Sequence, residues 1–187
     1  LQIEAGLAFE AGLNDLETGG QRKVMKQATG LRIRLHVDEE TAHVLDGQSK
    51  ICNWLYNQLL EKANTLRAEF IASGAKDEEA ALILYSRYGL RDLIPAMKRE
   101  SPFLKSVYSS PLKNAALRLS RAIREYQKSR KQERQGRGAG WPRFRSWKRK
   151  WFSLLYDEPW TGFKLQGRQL VLSLGVDRDG KRLKLAL

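Results

Sequence analysis

Residues 109–128 read SSPLKNAALRLSRAIREYQK. Ser110 can cap a helix, and Pro111 suits the first turn, where its missing N–H costs nothing. Leu112, Ala115, Leu119, Ala122, Ile123 and Tyr126 recur at helical spacing and define one buried stripe. Lys113, Asn114, Leu117, Arg121, Arg124 and Lys128 fall together on another face, where a row of cations can follow a phosphate backbone. The pattern predicts a helix over 111–134.

Outward from this helix the periodicities change. Upstream, Leu31, Ile33, Leu35 and Val37 alternate with polar residues and predict a half-buried strand over 31–38. Asp38 can cap a long helix carrying Leu45, Cys52, Leu55, Leu59, Leu66 and Phe70, which Ser73-Gly74 ends. Further helices are expected over 77–88 and 90–99, the last stopped by Pro102. Downstream, Gln135 to Gly140 breaks the basic helix, and a basic, aromatic-rich stretch follows to residue 152. Strands are expected over 153–157, 161–165, 168–174 and 182–187, with turns at Gln166-Gly167 and Asp179-Gly180. A strand, a helical block and a β-meander together predict an α+β fold, a small β-barrel with an α-helical insertion. The segments are 1–30, an extension or linker; 31–38, the first barrel strand; 39–135, the helical domain; 136–152, the basic aromatic linker; and 153–187, the meander.

Composition narrows the function. The chain has 187 residues, 34 Lys and Arg against 21 Asp and Glu, and a net charge of +13. Between Lys105 and Lys150 stand fifteen Lys and Arg and two acids, Glu125 and Glu133, so this quarter carries the whole excess. A one-sign segment of this length repels itself unless a polyanion neutralises it, and nucleic acid is the simplest such partner. One cysteine, Cys52, and two histidines, His36 and His43, cannot build a four-ligand zinc site or an intrachain disulfide. No apolar run reaches the roughly 18–20 residues needed to span a bilayer. A cytoplasmic, prokaryotic protein without a membrane association is expected. The chain opens on Leu1 and stops at Leu187 within an apparent strand, and a fragment of a longer protein is expected.

The linker residues Gly140-Trp141-Pro142-Arg143-Phe144-Arg145 combine an extended backbone, arginines and rings. Arg143, Arg145 and Lys148 suit phosphates; Trp141 and Phe144 can stack on bases or pack as anchors. Asp157 and Glu158 are adjacent carboxylates, but strand neighbours point to opposite faces, and neither a third acid nor a histidine accompanies them. The sequence holds no Ser/His/Asp set, phosphate-cradling glycine loop or cysteine pair, so no catalytic residue and no metal ligand is assigned.

These residues resemble a known family. Trp54-Leu55-Tyr56-Asn57-Gln58-Leu59-Leu60, Phe103-Leu104-Lys105, Ser110-Pro111-Leu112-Lys113-Asn114-Ala115-Ala116, Gly140 to Ser146, Gly162-Phe163-Lys164-Leu165 and the Leu170 to Gly175 strand occur in the order found in TnpB (OrfB) proteins of insertion sequences and in type V CRISPR effectors. The resemblance spans roughly residues 31–187. It implies the wedge domain, an OB-like barrel, with the recognition domain inserted, binding guide RNA, the guide–target heteroduplex and flanking-motif DNA. It places Ser110, Lys113, Asn114, Leu117, Asp157 and Glu158 near the flanking motif, and Arg118, Arg121, Arg124 and Lys128 on backbones. Acids at 157 and 158 depart from the small polar residues commoner there and could accept from cytosine N4. The family's RuvC-like nuclease, which uses Mg2+, and its zinc ribbon would lie beyond residue 187, so this chain is expected to bind without cleaving and to need no cofactor. Guide RNA and target DNA are the implied partners, and a homodimer is compatible with the sequence. The alternatives are a stand-alone DNA- or RNA-binding regulator without a guide, and an assembly module whose basic face docks an acidic protein.

Overall fold

The computed structural model describes residues 35–84, 89–131, 138–148 and 153–187. The chain divides into two compact units, residues 1–37 and 38–187. In the first, Leu35 and Val37 are half-buried, His36 is exposed, and none of the three joins a strand. Leu31 and Ile33, like the 1–30 segment, lie outside the described residues.

The second unit opens with α1 (Glu39–Ala72). Asp38 caps it by accepting from the Thr41 N–H at 2.8 Å, and Glu39 and Glu40 favour the positive end of its dipole. Leu45, Cys52, Leu55, Tyr56, Leu59, Leu60 and Ala63 form its buried stripe, whereas Leu66 is exposed. Cys52 is core, its thiol pushed up to about 12 by burial. At the far end Gly74 adopts φ 96°, the left-handed conformation that stops the helix. Next come α2 (Asp77–Leu84), α3 (Gly89–Asp92), α4 (Ile94–Glu100) and a 3-10 helix over Pro102–Ser106. The helix expected over 90–99 is thus two, parted at Leu93 just before Pro95, whose ring suits only a first turn.

The basic helix is α5 (Ser109–Lys131). Leu112, Ala115, Ala116, Leu119, Ile123 and Tyr126 are buried against α1, α2 and α3. Ser110 does not cap it. The helix begins at Ser109, and Ser110, fully buried, donates to Asp157 instead.

Strands β1 (Phe163–Gln166), β2 (Gln169–Val176) and β3 (Arg182–Ala186) make an antiparallel sheet in the order β1-β2-β3. Phe163 pairs with Leu172 and Gln166 with Gln169 across a two-residue turn begun by Gly167 at φ 60°. Leu170, Leu172 and Leu174 bury one face at period two. The Asp177–Lys181 turn is held by Asp177 Oδ1, which accepts from the N–H of Asp179 and of Lys181 at 3.0 and 2.8 Å. The fold is mixed α+β with an open three-stranded sheet, and the described residues do not close it into a barrel. The strand expected over 153–157 is absent as well; those residues join no ladder.

One joint ties the helices to one another, and a second ties them to the sheet. Tyr126 and Arg67 converge on Asp77: the Tyr126 hydroxyl donates to Asp77, Arg67 Nε donates at 2.7 Å, and Arg130 Nε stands 3.8 Å away. At the other joint the 3-10 helix backs onto the β2 irregularity, where a Cβ on Gly175 would meet Ser106 O at 2.7 Å and, closer still, the Lys105 carbonyl. A methyl group there can only displace backbone. Gly175→Ala is therefore expected to lower the unfolding free energy by about 1–3 kcal/mol in denaturant titration.

Burial alone would raise the Asp77 carboxyl, but the Tyr126 and Arg67 hydrogen bonds and the Arg67 and Arg130 charges outweigh it and hold it below 3.8. A depressed carboxylate stabilises the fold above its unfolded value and loses that contribution as pH falls through the folded one. Asp77→Asn should be less stable at neutral pH, and its stability should fall less than the wild type's between about pH 5 and 3, as read by denaturant midpoints at each pH.

Candidate nucleic-acid interface

The middle and end of α5 carry its cations outward. Arg121, Arg124, Lys128 and Arg130 are exposed and Arg118 is half-buried. Lys128 pairs with Glu125 at 3.1 Å, an exposed contact worth little beside a phosphate. Burial pushes the Arg118 guanidinium down from its usual value, and the charge of Arg145 adds to the effect. Positive groups therefore crowd where the linker meets α5.

The linker lies along α1 because asparagines on that helix bind its backbone. Asn57 forms a two-way bond with Arg145, its Nδ2 donating to the carbonyl at 3.0 Å and its Oδ1 accepting from the N–H at 2.9 Å. Asn53 Nδ2 donates to the same carbonyl at 3.1 Å. Two turns further along the same face, Asn64 Oδ1 accepts from the Trp141 indole at 2.7 Å. Trp141 packs edge-on against Tyr126, with the Arg67 guanidinium 4.1 Å from its ring centre. Lys50 sits 4.3 Å over Trp147. Of the two rings weighed as stacking or packing groups, Trp141 is thus an anchor, held to α1 and α5, while Phe144 is 59% exposed. Arg143 and Lys148 are exposed, and Arg145 is half-buried with its guanidinium 5.6 Å from the Tyr56 ring centre. Arg149 to Phe152 lie outside the described residues.

The residues assigned to the flanking motif meet one another. Asp157 accepts from Ser110 and from Asn114 Nδ2 at 3.3 Å; Glu158 accepts from Tyr108 at 2.5 Å and from Lys113 at 3.1 Å. Asn114 is only 5% exposed and also donates to the Ser110 carbonyl, so it does not share the open cationic face. Leu117 is half-buried. Glu158 is held below the usual carboxylate range by the Tyr108 hydrogen bond, with burial opposing and Lys113 assisting. The two acids do not diverge to opposite faces of a strand, because residues 153–158 run over α5 and its preceding turn without a ladder, and both carboxylates turn toward the helix.

Among the described residues no cluster of three metal-ligating side chains occurs, and no helix is long and apolar enough to cross a membrane. Compared with family models, curated proteins and solved structures, the chain matches none.

The asparagines were not legible as a site in the sequence. Asn53, Asn57 and Asn64 share a face at spacings of four and seven, which reads as an ordinary polar edge until the linker is seen on it. Asn57→Ala removes both halves of the Arg145 bond. It is expected to cost about 1–3 kcal/mol of stability and to speed proteolysis within residues 141–148 in limited-digestion assays.

Proposed function

We propose that this chain is a nucleic-acid-binding lobe, the wedge and recognition part of an RNA-guided DNA-binding effector. The observation that carries the reading is the confinement of the whole +13 charge to residues 105–150, with Arg121, Arg124, Lys128, Arg143 and Lys148 turned outward. Cations on a packed helix and on a pinned linker can meet phosphates without ordering a loose backbone segment, so the entropy lost on binding is mainly that of the side chains. The guide-dependent part rests on the ordered motifs shared with TnpB-like proteins. Segments carrying that resemblance pack on one another here: Asn57 of the first binds Arg145 of the linker motif, and Phe163 of β1 pairs with Leu172 of β2.

In this reading Arg118, Arg121, Arg124 and Lys128 hold backbones whatever their sequence. Lys113 and Glu158, 44% and 35% exposed at their side chains, form the edge offered to flanking-motif DNA. Ser110 and Asn114 hold Asp157 behind that edge, and a wedge barrel would be completed by strands other than the three described.

The test is binding to a structured RNA and to duplex DNA as a function of salt. Each lost phosphate contact lowers the slope of log affinity against log salt by about one. The double variant Arg121→Ala/Arg124→Ala is expected to weaken binding equally for all sequences and to flatten the slope by about two. A wild-type affinity indifferent to salt would reject nucleic-acid binding. One dominant structured RNA co-purifying from the native locus supports the guide, whereas duplex affinity with no RNA preference favours a guide-free regulator.

A further inference from the structure

A cleft of about 570 Å³ separates α4, the 3-10 helix and the turn before α5 from the face of the sheet that carries Val171, Ser173 and Gly175. That volume falls within the ~300–1,000 Å³ of ligand sites. Lys98, Lys105, Lys164, Arg182 and Lys184 line it, and no carboxylate is among its lining residues. None of these five cations belongs to the face of α5 or to the linker. Lys98 is half-buried, and its ammonium is pushed below the usual lysine value first by burial and then by the charges of Lys113 and Lys105. An anion in the cleft would relieve that repulsion. Glu158, which Tyr108 reaches from the wall of the cleft, is already engaged by Tyr108 and Lys113.

Trp160 stands at the cleft and is 81% exposed. Its backbone is left-handed, at φ 68°, a conformation that costs a side-chain-bearing residue roughly 1 kcal/mol and that glycine adopts freely. The strain is held by a tight turn: the Trp160 N–H donates to Phe163 O at 2.7 Å, and the Gly162 N–H to Glu158 O at 2.7 Å. So large a ring gains little burial here, and neither packing nor turn geometry accounts for it. A flat aromatic surface fixed beside cations, with Val107, Phe163 and Val171 as an apolar wall, has the elements of a base-stacking platform.

We propose that this cleft holds an unpaired nucleotide of a nucleic-acid strand, its base stacked on Trp160 and its phosphates against Lys98, Lys105 and Lys164. The proposal rests on the nucleic-acid reading above and adds a second site to it. The cations of α5 hold backbones whether or not bases are paired. The Trp160 cleft takes only a base that has left its stack, because a base inside a duplex has both faces covered by its neighbours.

The experiment uses the full chain with three labelled probes: an oligothymidylate of about 12 nucleotides, a duplex of about 20 base pairs, and thymidine monophosphate. Trp160→Ala is expected to weaken the oligothymidylate by roughly 10- to 100-fold while changing duplex affinity less than about twofold. Trp160→Phe should restore most of the loss. Lys164→Glu, which leaves the turn intact, should weaken the same probe, and circular dichroism melts should show each variant folded. Unchanged oligothymidylate binding in Trp160→Ala, with salt-sensitive duplex binding intact, overturns this inference and leaves the nucleic-acid reading standing. Failure of the wild type to bind either polymer overturns both. Monophosphate binding as tightly as the oligomer would replace the strand with a free nucleotide and overturn the proposal as stated.

Discussion

The packing of α5 on α1 is the constraint from which the other features follow. Leu112, Ala115, Ala116, Leu119 and Ile123 are wholly buried, and three of the other helices contact α5. With that stripe committed to the core, the helix cannot rotate to hide its charges, so Arg121, Arg124 and Lys128 face outward. Truncating a fully buried leucine such as Leu119 removes about 2–5 kcal/mol, comparable with the whole stability of many domains. The helix backbone that carries the cations is therefore fixed by the core beneath it.

The same packing decides where the linker goes. Tyr126, at the end of the stripe, offers its ring edge-on to Trp141, while its hydroxyl reaches Asp77 and receives Arg67 Nη2 at 3.2 Å. Arg67 joins α1, α2, α5 and the linker through two hydrogen-bonded partners and a stacked ring, a use of the planar guanidinium that lysine could not duplicate. From Trp141 the linker follows Asn64, Asn57 and Asn53 back along α1; Asn64 takes the indole N–H, and Asn57 and Asn53 satisfy the Arg145 backbone groups that a strand partner would otherwise serve. A stretch dense in like charge is thus held close to the cationic helix by hydrogen bonds from neutral asparagines.

Periodicity revealed the two long helices and the last three strands, since each depends on local spacing: the α1 and α5 stripes, Asp38 as a cap, and Leu170, Leu172 and Leu174 on one face. It misread residues 153–157 for an instructive reason. Leu154 and Tyr156 are half-buried and Ser153, Leu155 and Asp157 are exposed, so burial does alternate at period two. The neighbour is a helix, however, with Leu154 packed on the helical core and Tyr156 stacked 6.1 Å from Tyr108. Alternation reports an extended segment with one side covered and does not name what covers it. Ser110 illustrates the same limit, because a serine before proline is a good cap in isolation and was instead drawn into the core by an aspartate 47 residues away. The basic cleft was invisible in sequence because Lys98, Lys105, Lys164, Arg182 and Lys184 come from four elements that meet only in the folded chain.

Asp157 and Glu158 resolve an electrostatic conflict at that meeting place. The start of α5 adds partial positive charge to Lys113, and nearby Lys98 and Lys105 add more. A carboxylate on Lys113 and another on Ser110 and Asn114 balance the first turns of the helix, so the open positive face starts at Arg121 on one side and in the cleft on the other. Glu158 also fixes the Trp160 turn, since its carbonyl accepts from Gly162 while its side chain is tied to Tyr108 and Lys113. One residue thus ties the first turn of α5 to the turn that carries Trp160.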